Sequence, residues 1–358
     1  MGDKKTAWHA FTGVWFRDND TSSSNGYEKV KTPPWRNHWL KRLDGKLDSA
    51  ASDKLLSGQD WDDTFRRGKS FVLNLEDEDD KRVVDLVNAA LYLQRPILVK
   101  GDTGVGKSSL AYAIAAELGL GPVIYWPITS HSTIKDGLYR YDIIRHLQES
   151  KPSVKLKADI GVYFALKQLG IAFGHRGTKP RVLLIDEIDK ADMDLPNDLL
   201  HVLEEGKFQI DELAYRNDTS PEIADPKVML EGSEAAIDPN GWVTRGHFPV
   251  IVMTSNRERE FPEPFLRRCI SIELKKPGKE KLNEIVNRHF NNDIADHADI
   301  GKLMQRFLLE NEKGHIATDR LLNAIHIYNV YYKSHKVGLN LDSSLVDEIL
   351  GVINQNKK

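Results

Sequence analysis

The fold class predicted from the sequence is α/β: a parallel, doubly wound sheet of five strands with helices on both faces, then a purely helical C-terminal region. Three observations predict it. Short apolar runs recur at Ile97–Val99, Val123–Trp126, Arg181–Ile185, Val250–Thr254 and Ile270–Leu274. Helical segments lie between them, and repeated βα units imply parallel strands. After Pro277 the strand signals stop while helical periodicity continues.

In chain order, residues 1 to about 70 stand apart. They hold five of the seven tryptophans, Trp8, Trp15, Trp35, Trp39 and Trp61, among Gly, Ser, Asn and Asp. No sustained helical period runs through them, and Pro33-Pro34 forbids a helix there. Two readings stay open: an arm whose aromatics pack on a neighbouring subunit or a bound base, or an extension packed on its own core. The acidic run Glu76–Asp80 suits the positive end of a helix, and Val83, Leu86, Val87, Ala90 and Leu91 give that helix its apolar stripe.

The first strand, Ile97–Val99, follows Pro96. Leu110, Ala111, Ile114 and Leu118 stripe the next helix, which Gly119 can end. A helix is expected over Val162–Leu169, and another at Leu199–Leu203 with Pro196 in its first turn. Arg181–Ile185 is continuously apolar, as a strand inside a parallel sheet should be. From Ile185 to Val250 there are 65 positions, about twice what a βαβ unit of roughly 30 residues uses. Phe208–Asp211 and Lys227–Leu230 are therefore expected to be strands of a hairpin inserted at about 207–249. Helices are expected at Leu282–Phe290, Ile300–Leu309, Asp319–Tyr332 and Ser343–Asn354. The expected division is an extension over 1–70, an α/β domain over 71–276 and an all-helical domain over 277–358.

Bulk composition narrows the function classes. Of 358 residues, 50 are Lys or Arg and 53 are Asp or Glu, a formal charge of −3. That leaves no cationic excess to track a phosphate backbone, so nucleic acid is not indicated as a partner. The single cysteine, Cys269, cannot form an internal disulfide. With no apolar leader and no run of about 18 apolar residues, a cytoplasmic location is expected.

The chemistry starts at Gly101-Asp102-Thr103-Gly104-Val105-Gly106-Lys107-Ser108, which fits G-x-x-x-x-G-K-[ST] between a strand and a helix. Glycines let backbone N–H groups turn inward onto phosphate oxygens, and the helix N-terminus adds positive potential. Lys107 can reach the β- and γ-phosphates, and the Ser108 hydroxyl can ligate magnesium; Ser109 belongs to the same cradle. Asp186-Glu187 follows an apolar strand, at the strand end where ligands of open parallel sheets gather. Asp186 is the second expected metal ligand and Glu187 the residue that polarises a water. Asn256, after the fourth strand, can hydrogen-bond both a phosphate oxygen and that water.

These motifs resemble AAA+ ATPases, and within them the MoxR-like branch, over roughly residues 30 to 335. The resemblance makes Asp186-Glu187 the Walker B pair and Asn256 the sensor-1 residue. It likens Pro262–Arg268 to the arginine-finger segment, with Arg268 in the Leu-x-Arg frame and Arg267 beside it, and Thr318-Asp319-Arg320 to sensor 2. Pro33–Arg36, Asn88–Leu91, Trp126–Ser130 and Asp136–Asp142 resemble strings of a MoxR-like subset found beside von Willebrand A-type partners in bacterial conflict systems. The resemblance implies the P-loop AAA+ fold, ATP and Mg2+ as cofactors, a ring homo-oligomer of hexameric type, and remodelling of a partner protein, chaperone-like, in antiviral defence. Two rival functions stand beside it: a nucleotide-driven nucleic-acid motor using ATP or GTP, and a nucleotide-binding sensor or scaffold with little turnover.

Overall fold

The computed structural model describes residues 8–13, 25–34, 58–149, 160–214, 227–231, 233–238, 240–290, 298–313 and 317–335. Helix α1 (Gln59–Lys69) precedes α2 (Glu78–Leu93). Strand β1 (Ile97–Lys100) feeds α3 (Lys107–Leu118), and β2 (Ile124–Pro127) follows. Next come α4 (Ile134–Leu138), β3 (Tyr139–Tyr141), α5 (Ile143–Glu149), β4 (Phe164–Leu166) and α6 (Gln168–Gly174). The chain continues through β5 (Val182–Asp186), α7 (Asp194–Glu205), β6 (Lys207–Gln209), α8 (Asp211–Ala214), β7 (Lys227–Leu230), β8 (Ser233–Ala236) and β9 (Trp242–Thr244). Last are β10 (Val250–Ser255), α9 (Glu263–Leu266), β11 (Ile270–Glu273), α10 (Lys279–Phe290), α11 (Ala298–Lys313) and α12 (Thr318–His335).

The main sheet has the order β11-β1-β10-β5-β2, and every pairing in it is parallel. Its five strands are those expected from the apolar runs. Alternate residues serve opposite faces, as the two-residue period requires. Leu98, Leu183, Ile185, Ile251 and Met253 enter one core, while Ile97, Val99, Val182, Leu184 and Val252 enter the other. The three central strands β1, β10 and β5 are covered on both faces and carry no polar alternation, whereas the edge strands β2 and β11 alternate buried and exposed residues.

The acidic run caps α2 as expected: the Asp77 side chain accepts hydrogen bonds from the Asp79 and Asp80 N–H groups. Gly119 ends α3 in the left-handed conformation, φ 60°. Residues 8–13 pack on this chain's own core, the second of the two readings. Buried Asn88 accepts from the Ala10 and Phe11 N–H groups at 2.7 and 3.0 Å and donates to the Phe11 carbonyl at 2.7 Å. Trp8 stays 43% exposed against Tyr92; Trp15, Trp35 and Trp39 lie outside the described residues.

Three expectations are corrected. Helix α1 lies where no helical period was expected. It packs not through an apolar stripe but through Thr64 and Gly68, both buried; a Cβ on Gly68 would come 2.6 Å from the Tyr112 carbonyl oxygen. The helix over Val162–Leu169 is instead a 3-10 turn (Ile160–Tyr163), strand β4, and the start of α6. Phe164 and Leu166 are buried two apart, β4 pairs antiparallel with β3, and Phe164 stacks on Tyr141 with centroids 4.5 Å apart; a distant partner decides the period of so short an apolar run. Finally, the strands at 207–209 and 227–230 form, but not with each other. β6 pairs with β9, and β7 pairs with β8 and with β4.

The C-terminal helices α10, α11 and α12 enclose a separate core around Leu282, Ile300, Phe307, Leu321 and Ile325. The helix expected at Ser343–Asn354 lies outside the described residues. No described helix is long and apolar enough to cross a membrane.

Candidate functional site

The C-terminal ends of β1, β10 and β5, three adjacent strands, open into a cavity of about 320 Å³. Thr103–Ser109 line it from the glycine-rich loop, Asp186, Glu187, Thr254 and Asn256 from the strand ends, Phe71 and Val72 from the segment before α2, and Ile285, Thr318 and Leu322 from the C-terminal helices. The loop keeps its shape through positive φ at Gly104 (80°) and Gly106 (93°). Gly104 also lies against the helical region: a Cβ there would come 2.6 Å from the Ala317 Cβ. Larger residues are therefore excluded both by conformation and by space.

Lys107, 7% exposed, donates from Nζ to the Gly101 and Asp102 carbonyls at 2.9 and 2.8 Å. Burial lowers its pKa, and the fields of Asp189, Asp186, Asp102 and Glu187 oppose that shift. The Asp102 carboxylate stands 3.5 Å from Lys276 Nζ. Ser108 Oγ donates to Asp186 Oδ1 at 2.8 Å. A hydroxyl and a carboxylate are hard oxygen donors, and magnesium is commonly held by one or two carboxylates plus water and substrate phosphates. The residues present therefore fit magnesium with a triphosphate. Among the described residues no group of three or more His, Cys, Asp and Glu could hold a metal by itself.

Glu187 is a non-glycine residue in the left-handed region, φ 58° and ψ 48°, a conformation that costs about 1–3 kcal/mol and survives only when neighbours enforce it. Thr254 enforces it, accepting the Glu187 N–H at 2.8 Å while donating to Asp186 Oδ1 at 2.6 Å. The Glu187 carboxylate accepts from Asn256 Nδ2 at 3.1 Å and from Lys190 Nζ at 2.5 Å. On β2, Tyr125 donates to Asp186 Oδ2 at 3.2 Å, and burial, then the Asp186 charge, raise its pKa.

Gly101–Ser109, Asp186, Glu187 and Asn256 thus come together. The three arginines do not join them. Arg268 pairs with Glu204 at 2.7 Å, both about half exposed, and Arg267 stands 3.4 Å from Glu263. Arg320 is exposed; its neighbours Thr318 and Asp319 line the cavity and it does not. Thr254, Tyr125 and Asp189 are not among the residues that the sequence singles out. The only local signal for Thr254 was a hydroxyl ending an otherwise apolar strand.

Residues 96–269 match the AAA domain of the dynein-related subfamily. The matched stretch holds the glycine-rich loop, Asp186-Glu187, Asn256 and the Pro262–Arg268 segment; the C-terminal helices lie outside the match. A ClpA homolog protein of Fuscovulum blasticum is 33% identical over 119 residues, which is 32% of this chain and 13% of that protein. Among solved structures, NtrX from Brucella abortus in complex with ADP aligns at TM-score 0.42 and 14% identity, covering 78% of this chain and 54% of that one. The closed state of Hsp104 with ATPγS and casein aligns at TM-score 0.41 and 15% identity, covering 82% and 50%. The chain therefore spans a small part of that ClpA homolog and about half the length of these structures.

Proposed function

We propose that this chain is a magnesium-dependent ATPase of the MoxR-like kind, working as a ring of hexameric type that remodels or activates a partner protein. The observation that carries the hydrolase reading is one cavity holding Lys107, a Ser108–Asp186 hydrogen bond and a Glu187–Asn256 hydrogen bond. The loop N–H groups and Lys107 bind the triphosphate. Ser108 and Asp186 hold the magnesium, which neutralises phosphate charge when bound. Glu187 polarises the attacking water and Asn256 orients it. A pure binding protein has no need of the Glu187–Asn256 pair.

Arg268, with Arg267 beside it, acts in this reading on the nucleotide of the neighbouring subunit. Arg320 acts from the lid, the region from 277 onward, which turns against the sheet as the γ-phosphate is lost. A von Willebrand A-type partner and a role in antiviral defence rest on the resemblance of Pro33–Arg36, Asn88–Leu91, Trp126–Ser130 and Asp136–Asp142 alone.

Glu187→Gln tests the hydrolase reading. It should retain nucleotide binding while phosphate release falls by roughly 10²-fold or more, the scale of a lost general base. A wild-type rate in that variant would remove Glu187 from the chemistry. Mass photometry with and without ATP, then a pull-down on the Glu187→Gln protein, tests the ring and the partner.

A further inference from the structure

Glu187 and Asn256 lie 69 positions apart in the chain, on turns that leave different strands. Their hydrogen bond therefore depends on whatever holds those two turns together. Asp189 is the side chain in that place. It sits on the 3-10 turn Ile188–Lys190, directly after Glu187, and is 2% exposed. Its Oδ2 accepts three hydrogen bonds from the Asn256 turn: Ser255 Oγ at 3.0 Å, Asn256 N at 2.8 Å and Glu258 N at 3.0 Å. Its Oδ1 has no hydrogen-bond partner among the described residues.

We propose that Asp189 is a positioning residue for hydrolysis, clamping the Asn256 turn to the Glu187 turn so that the two side chains meet. The inference rests on the hydrolase reading above. Burying a carboxylate is costly, and an apolar residue would fill the space more cheaply. What offsets that cost is the three donors converging on one oxygen, two of them main-chain N–H groups beyond the end of β10. The clamped turn is itself strained: Arg257 has φ 64°, and its N–H is satisfied by the same Ser255 Oγ that Asp189 holds. Without the carboxylate, neither the turn nor the Asn256 side chain keeps its place. Asp189 makes no hydrogen bond to the glycine-rich loop and reaches it only through its field on Lys107, so its loss should act chiefly on turnover and change nucleotide binding little.

The test measures kcat, and the Kd of a non-hydrolysable ATP analogue, in wild type, Asp189→Ala, Asp189→Asn, Asn256→Ala and the double variants. Misplacement of a positioned group by about 1 Å costs about 10²-fold in rate, so Asp189→Ala should lose about that much kcat with Kd within about threefold. Asparagine keeps an acceptor but loses the charge, and charged hydrogen bonds are roughly twice as strong as neutral ones; Asp189→Asn should fall between wild type and alanine. On the Asn256→Ala background either Asp189 variant should cost less than about threefold further, since both act through one side chain. If Asp189→Ala does not fold, the Asp189→Asn cycle decides. Wild-type kcat in both Asp189 variants, multiplying losses in the double variants, or a Kd that weakens in step with kcat would overturn the inference. A wild-type protein with no turnover at any concentration would remove the hydrolase reading, and this inference with it.

Discussion

Thr254→Val isolates the hydroxyl that ties the acidic pair together. Thr254 is fully buried, and valine has its shape without the hydroxyl. Two hydrogen bonds go. The Glu187 N–H, held in the left-handed region, loses its acceptor, and a buried unsatisfied group costs about 1–3 kcal/mol. The donor to Asp186 Oδ1 also goes, and a hydrogen bond to a charged group is worth about 1.5–3 kcal/mol. Asp186 keeps Ser108 and Tyr125, so the second loss is partly made good, and a total of about 3 kcal/mol is expected. For a domain of this size each kcal/mol shifts Tm by about 2–4 °C, which gives a fall of about 6–12 °C. Thr254→Ser is the control: it keeps the hydroxyl and gives up one methyl, about 1 kcal/mol. Calorimetric melts of the three proteins, with phosphate release measured beside them, make the comparison. A Tm for Thr254→Val within about 2 °C of Thr254→Ser would refute the reasoning, because the hydroxyl would then hold neither Glu187 nor Asp186.

The remaining predictions concern the loop, the subunit boundary and pH. Lys107→Ala should abolish tight triphosphate binding in calorimetry, since the loop loses its mobile cation; retained sub-micromolar affinity would move the site elsewhere. Arg268→Ala should leave binding by an isolated subunit intact and cut turnover by about 10³-fold or more, and mixing it with Lys107→Ala should restore some activity. For that, Arg268 must leave Glu204, and Arg267→Ala should be milder; a concentration-independent rate in a monomeric wild type would refute both. Burial, with Arg181 and His247 alongside, lowers the His175 pKa from 6.5 to about 4. The folded state then binds fewer protons between those values, so this contribution is whole above pH 6.5 and lost as pH falls through about 4. At about 1.4 kcal/mol per unit, wild type should lose about 3 kcal/mol more than His175→Gln between pH 7 and pH 4 in urea melts; parallel losses would contradict this.

What the sequence could show by itself was whatever is written locally. The glycine-rich loop is legible because its glycines, its lysine and the helix they open are contiguous, and positive φ at Gly104 and Gly106 is a local demand. Asp186-Glu187 is legible because it follows an apolar run at a strand end. The five sheet strands and α2, with its Asp77 cap, announce themselves through length and period. Tertiary structure decided what depends on a partner far away in the chain. Residues 162–169 suit strand or helix until Tyr139–Tyr141 lies beside them, and β6 and β7 find their partners only when the sheet is assembled. Helix α1 shows only a short, mixed face, Trp61, Thr64, Phe65 and Gly68, and packs through that glycine against the backbone of α3. Thr254 and Asp189 look like an ordinary strand residue and an ordinary acidic residue. They gain their roles because parallel pairing brings the end of β10 beside the end of β5, across 66 to 69 positions of chain. A hydrogen bond across that span has no periodicity, and only packing places its two ends together.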